Sequence, residues 1–78
     1  MGRIVSHNPS SRALTARQAR IIADIAMGRM QKQIAADLEI SVNTVNRHVE
    51  NIKLAIGAKT LAHAAALWAS GKIQVRQQ

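Results

Sequence analysis

Residues 45–56 repeat apolar side chains at the spacing of one helix, and this repeat restricts the possible folds more than any other feature of the chain. Its members stand at i, i+4, i+7 and i+11, which places them on one side of an α-helix. They are Val45, Val49, Ile52 and Ile56. Ser41 is suited to cap the start of this helix through its hydroxyl, and Gly57 is suited to end it. The pattern predicts an amphipathic helix with one buried side.

The opposite side of this helix carries a row of mainly polar side chains. At about 100° per residue, five residues fall opposite the apolar repeat. They are Asn43, Asn46, Arg47, Glu50 and Leu54. A face that meets only water more often carries Lys and Glu four residues apart, and this one does not. The row therefore indicates a surface with a binding partner.

Size and composition exclude several classes of protein. The 78 residues suffice for one small domain with a modest core. The chain has no cysteine, so neither disulfides nor thiolate metal sites hold the fold, and a reducing compartment fits. The longest apolar run is much shorter than the roughly 20 residues of a transmembrane helix. We expect a cytoplasmic protein with no membrane partner.

The charge balance favours a polyanionic partner. Eleven Lys and Arg against four Asp and Glu give a formal net charge of +7. Such an excess attracts nucleic acid over long range. A basic surface can also serve solubility alone, so composition by itself leaves both interpretations open.

Three further helices are predicted, which makes the expected fold all-α. A Thr-x-x-Gln capping box opens a helix over residues 15–27. A short helix follows over residues 31–38, and residues 39–40 make the turn to the amphipathic helix. A last helix over residues 61–70 is capped by Thr60. The helices define a domain over residues 14–73, between a flexible arm (residues 1–13) and a tail (residues 74–78), which lack periodicity.

The fourth helix is apolar on two sides, one more than its own domain needs. The first side, suited to the core, contains Leu61, Ala64, Ala65 and Trp68. The second side contains Ala62, Ala66 and Ala69, with His63 at its edge. We expect the second side to pair with another copy of the chain in a two-fold homodimer. Alternatively, these alanines are simply good helix formers that tolerate exposure.

A short helix, a tight turn and a longer helix with a polar outer row are the arrangement in which the second helix enters the major groove of DNA. The residue types suit base edges, since Asn pairs with adenine, Arg pairs with guanine, and Glu accepts from the N4 amine of cytosine. The predicted base-reading residues are Asn43, Asn46, Arg47 and Glu50.

Several short motifs stand in order along residues 14–73. They include Leu14-Thr15-Ala16-Arg17, Lys32-Gln33-Ile34-Ala35, Leu38-x-Ile40-Ser41, Thr44-Val45-x-x-His48-Val49-x-Asn51-Ile52 and Ile56-Gly57-Ala58. In these motifs the chain resembles the DNA-binding domain of the LuxR/FixJ/NarL class of bacterial transcription regulators. The resemblance implies a four-helix LuxR-type helix-turn-helix domain whose third helix lies in the major groove and whose fourth helix dimerises.

The resemblance also implies roles for single residues. Asn46, Arg47 and Glu50 match base-reading positions of the family, and Lys32 and Thr44 match positions that often meet the phosphate backbone. The predicted backbone contacts are Lys32, Ser41, Thr44 and Lys53.

The chain departs from the family at several positions. Asn46 stands where Lys or Arg is usual, so the DNA sequence that the chain recognises cannot be inferred from the targets of its relatives. Met30 replaces the usual small or hydroxyl residue before the second helix, which should lack its normal cap. Asp24 stands where a large apolar residue is common, and a family charge pair is missing because Gln18 and Leu61 replace its members.

These features predict a stand-alone, sequence-specific regulator of bacterial or phage origin, which binds double-stranded DNA as a homodimer in the nucleoid. RNA polymerase or another regulator is a further candidate partner. We expect no enzyme, cofactor, metal or small-molecule ligand, since no nucleophile has a base beside it and no phosphate-cradling loop is present. One alternative is a small protein that pairs with a larger regulator of the family and inhibits it. Another is a fragment like the fourth region of sigma factors, against which the alanine-rich last helix argues.

Overall fold

A computed structural model describes residues 13–76 of the chain. Four helices form the domain: α1 (Ala16–Ala26), α2 (Gln31–Leu38), α3 (Val42–Ile56) and α4 (Leu61–Ala69). Two short strands, β1 (Ala13–Leu14) and β2 (Gln74–Val75), lie before α1 and after α4. The four-helix, all-α fold that the sequence predicts is confirmed.

Helix α3 lies at the centre of the domain, since it packs against α1, α2, α4 and β1. All four members of its apolar repeat are buried. The other elements contribute further apolar side chains that are fully buried: Leu14, Ile21, Ile22, Ile34 and Ala64. Within residues 13–76, no polar or charged residue is fully buried. One side of α3 is therefore buried in the core, and the other side remains available to a partner.

The predicted helix caps are confirmed. The Thr15 hydroxyl accepts from the Gln18 amide at 3.1 Å, and the Gln18 side chain accepts from the Thr15 amide at 2.9 Å. The Ser41 hydroxyl accepts from the Thr44 amide at 3.0 Å, and Thr60 caps α4 in the same way. Each cap supplies a partner to an amide that the helix itself leaves unpaired. The caps fix the first residue of three helices, including the helix that carries the candidate site.

The start of α2 is held differently because Met30 has no oxygen in its side chain. The cap residue makes no side-chain hydrogen bond, as the sequence predicts. Instead, the Gln33 side chain reaches back and accepts from the Met30 amide at 3.0 Å. This covers one of the unpaired amides at the helix start and leaves the rest to solvent or a partner.

Asp24 anchors a charge network at the corner between α1 and α2. Its carboxylate lies 3.1 Å from Arg20 Nε and 3.5 Å from Arg29 Nη1, and its side chain is 13% exposed. Arg29 also pairs with Asp37 on α2. Hydrogen bonding to Asp37 raises the pKa of Arg29. The network explains how an acid is accommodated at a position that is often apolar in the family the chain resembles.

The two strands form a small parallel sheet that the sequence analysis does not predict. Ala13 pairs with Gln74 and Leu14 with Val75. The Arg76 amide donates to the Leu14 carbonyl at 2.7 Å. The folded part therefore includes residue 13 and residues 74–76, which the sequence assigns to the arm and the tail. The fully buried Leu14 side chain holds β1 on the core. Residues 1–12 of the predicted arm and 77–78 of the predicted tail lie outside the described residues.

Glu39 makes the turn between α2 and α3 in a left-handed conformation (φ 59°, ψ 42°). A residue with a Cβ atom is strained there by about 1 kcal/mol, and glycine is not. We expect Glu39→Gly to raise the free energy of unfolding by roughly 0.5–1 kcal/mol, the strain relief being partly offset by the entropy of glycine in the unfolded chain. Chemical denaturation would measure the change. Glu39→Ala is the control, since it removes the carboxylate but keeps the Cβ atom; equal stabilisation by both variants would show that charge and not backbone strain is responsible.

Candidate nucleic-acid interface

The four predicted base-reading residues lie together on the outward side of α3. Asn43, Asn46, Arg47 and Glu50 are all exposed. The side chains they present are two amides, a guanidinium and a carboxylate, which together can donate to and accept from base edges. The structure thus brings these four side chains to one surface, free of the domain's own interior.

The N-terminus of α3 offers hydrogen-bond donors beside this surface. The hydroxyls of Ser41 and Thr44 lie 2.9 Å apart, and either can be the donor. Since only one of the two hydroxyl protons is used between them, the other can donate outward. The unpaired amides and the positive end of the helix dipole lie at the same point. The arrangement suits a phosphate group, and Ser41 and Thr44 are two of the predicted contacts to the phosphate backbone.

Lys32 and Lys53 were the other two predicted backbone contacts, and the structure places them differently. Lys32 is exposed on the first turn of α2 and makes no ion pair with any described residue. Lys53 Nζ lies 3.1 Å from Glu50 Oε2, one turn back on α3. The Lys53 side chain is 22% exposed, whereas that of Glu50 is 66% exposed. Lys32 is thus free to meet phosphate, whereas Lys53 is already engaged with a predicted base reader.

The charge that the domain presents outward is strongly basic. Of its four acidic residues, three are neutralised by ion pairs within the described part of the chain: Asp24, Asp37 and Glu50. Six basic residues in the same part have no ion-pair partner there: Arg17, Lys32, Arg47, Lys59, Lys72 and Arg76. Unpaired cations on a small body create the field that draws a polyanion to it.

The sequence analysis missed Val42 as a candidate contact. It occupies the first position of α3 and is 42% exposed, next to Asn43. The first residues of a groove-binding helix lie closest to base edges, and an apolar side chain there can contact the thymine methyl group. Its place directly after the predicted Ser41 cap was the available signal, since that residue is the first of the helix.

The second side of α4 is exposed, as the predicted dimer face requires. Ala62, Ala66 and Ala69 are all accessible, and so is His63. The Nδ1 atom of His63 accepts from the Lys59 amide at 3.2 Å, which ties its ring to the turn before α4. The other side of α4 packs on α1, and Ala64 is fully buried there. The alanine face is therefore not covered by any other part of the described chain.

Residues 13–76 contain neither a candidate metal site nor a candidate membrane-spanning helix. No group of His, Asp and Glu in this range is placed to hold a metal ion. Among the described helices, none combines the length and apolar character that crossing a bilayer requires.

A comparison with protein families matches the part of the chain that carries α2, the turn and α3. Residues 12–68 match the family described as "Bacterial regulatory proteins, luxR family". The chain belongs to this family. The matched range contains α1, α2, α3 and most of α4, with every predicted DNA-contacting residue. This match confirms the resemblance seen in the sequence. The family's members are DNA-binding transcription regulators.

A curated relative supports the same assignment. The chain is 39% identical over 67 residues to "Probable transcriptional regulatory protein SgaR" of Hyphomicrobium methylovorum. The alignment covers 86% of this chain and 31% of the relative, so the chain spans about a third of that protein's length. No solved structure matches the chain.

Proposed function

We propose that these 78 residues of the luxR-family chain are sufficient to bind specific double-stranded DNA as a homodimer and to regulate transcription in the bacterial nucleoid. Helix α3 enters the major groove, whose width of about 12 Å admits one helix with its side chains. The observation that carries the proposal is the joint exposure of Asn43, Asn46, Arg47 and Glu50 on the side of α3 that the core does not use.

Each group on the surface has a distinct task in this proposal. The amides of Asn43 and Asn46 select adenine, and the Arg47 guanidinium selects guanine through two parallel hydrogen bonds. Glu50 accepts from the N4 amine of cytosine. Lys32 and the Ser41–Thr44 hydroxyl pair hold phosphates on either side of the groove, which fixes the register of α3 but carries no sequence information.

The exposed alanine face of α4 supports the dimer. In a two-fold dimer this face meets its own copy, and small side chains let the two helices approach closely. The two α3 helices would then read half-sites about one helical turn apart, roughly 10 base pairs. The same face could instead pair with a larger regulator of the family, whose DNA binding the chain would then inhibit.

Arg47 and Lys32 provide the test that separates base reading from phosphate contact. We expect Arg47→Ala to remove the preference at one base step, at a cost of roughly 1–3 kcal/mol for the best duplex and little for others. Lys32→Ala should weaken binding to all duplexes alike and reduce the slope of log affinity against log salt by about one.

Equilibrium binding of both variants to a panel of duplexes that differ at single base pairs measures the difference. The two substitutions each remove one exposed cation, so they form a matched pair. Equal losses across the whole panel from both variants would contradict the proposed division of roles. If the unmodified chain bound all duplexes of the panel alike, the proposed function itself would be contradicted.

A further inference from the structure

Glu50 is an acid on a surface that meets a polyanion, which calls for a compensating charge nearby. A carboxylate facing phosphates is repelled by them, and the repulsion weakens binding to every duplex. The structure supplies the compensation within α3, because Lys53 lies three residues on and its ammonium is 3.1 Å from Glu50 Oε2. Positions three apart are neighbours on a helix surface, so the pair forms without distortion.

The environment of Lys53 distinguishes it from the other cations near the site. Its side chain is 22% exposed, so most of it is covered by the protein. Lys32 and Arg47 are exposed and make no ion pair with described residues. A mostly covered side chain restricts where the ammonium can go, and the only acidic group that it reaches in residues 13–76 is Glu50.

We propose, on the basis of the function proposed above, that Lys53 is a positioning residue for base readout by Glu50. The ammonium holds Oε2 and thereby selects one orientation of an otherwise mobile side chain. An ionised carboxylate has about four acceptor positions on its two oxygens, so Oε1 stays available to the N4 amine of cytosine. The pair also keeps the local charge near zero as the phosphates approach.

This role differs from the phosphate contact that the sequence analysis assigns to Lys53. A phosphate contact uses the charge of the ammonium on the DNA backbone, and its effect on binding then does not depend on Glu50. The two roles predict different effects on specificity, since a phosphate contact acts on all sequences alike, whereas a positioning residue acts only where Glu50 reads a base.

Four variants of the full chain test the inference: Lys53→Met, Lys53→Arg, Glu50→Ala and the double variant with Lys53→Met and Glu50→Ala. Methionine keeps a stem of similar length and removes the charge, and arginine keeps the charge. Circular dichroism establishes that each variant is folded. Binding is then measured against duplexes that differ at each base step, at several salt concentrations, and the step that loses its preference in Glu50→Ala identifies the base that Glu50 reads.

We expect Lys53→Met to reduce the cytosine preference at that step by roughly tenfold, within the range for one base contact. The double variant should show no further loss of preference beyond Glu50→Ala, because Lys53 acts through Glu50. Lys53→Arg should retain the preference, and the salt slope should stay unchanged in Lys53→Met.

Either of two results would overturn the inference while leaving the proposed function intact. One is an unchanged cytosine preference in Lys53→Met. The other is a uniform loss of affinity together with a salt slope reduced by about one, the signature of a phosphate contact. Absence of any base preference in the unmodified chain would instead overturn the proposed function and this inference with it.

Discussion

Replacing Ala66 with glutamate is expected to convert the chain to a monomer and to weaken its binding to a two-half-site duplex by roughly 100-fold or more, because the linked second contact is lost. Ala66 lies in the middle of the exposed alanine face of α4. In a two-fold dimer each chain would place a carboxylate against its copy, where the charge is desolvated without a partner. The fold should persist, since the position is exposed and glutamate is a good helix former.

Sedimentation equilibrium and duplex binding measure the two consequences of this substitution. Ala26→Glu is the matched control, since Ala26 is an exposed alanine at the end of α1 and the charge change is the same. The control should remain dimeric and lose only the small part of its affinity that follows from one unit of net charge. A dimeric Ala66→Glu chain with unchanged DNA affinity would show that the alanine face is not the interface.

Replacing Leu14 with alanine is expected to lower the free energy of unfolding by roughly 3–5 kcal/mol, the range for a fully buried leucine. Leu14 has no exposed surface and lies in β1, against α1 and α3. A domain of this size has a total stability of only about 3–10 kcal/mol, so the variant should be largely unfolded at moderate temperature.

Leu54→Ala is the matched control for this loss, because Leu54 is 79% exposed on α3 and the same atoms are removed. Its unfolding free energy should change by less than about 0.5 kcal/mol. Thermal and urea denaturation of both variants measure the difference. A Leu14→Ala chain as stable as Leu54→Ala would mean that β1 does not belong to the core.

The helices could be predicted from the sequence because their signals are local. The apolar repeat of α3 and the hydroxyl caps at Thr15, Ser41 and Thr60 act within one or two helical turns. The parallel pairing of β1 with β2 could not be predicted, because it joins residues about 60 positions apart. Strands of two residues also carry no periodicity that a sequence pattern could reveal.

For the surface of α3, exposure could be predicted from the sequence, whereas side-chain pairing could not. Exposure of Asn43, Asn46, Arg47 and Glu50 follows from the position of the buried repeat, since a helix with one side in the core must present the other. The engagement of Lys53 with Glu50 depends on side-chain orientation and on what covers the lysine side chain, which the spacing allows but does not decide. Asp24 departs from the family at an often apolar position, and the spacing does not decide that Arg29 pairs both with it and with Asp37 on α2.

The most direct test of DNA binding by α3 is the selection of bound duplexes by the unmodified 78-residue chain from a pool of random sequence, repeated at several salt concentrations. We expect enrichment of one two-fold symmetric sequence with half-sites about 10 base pairs apart, and an affinity that falls steeply as salt rises. A pool that stays unenriched at every salt concentration, with weak binding that does not distinguish sequences, would contradict the proposed function.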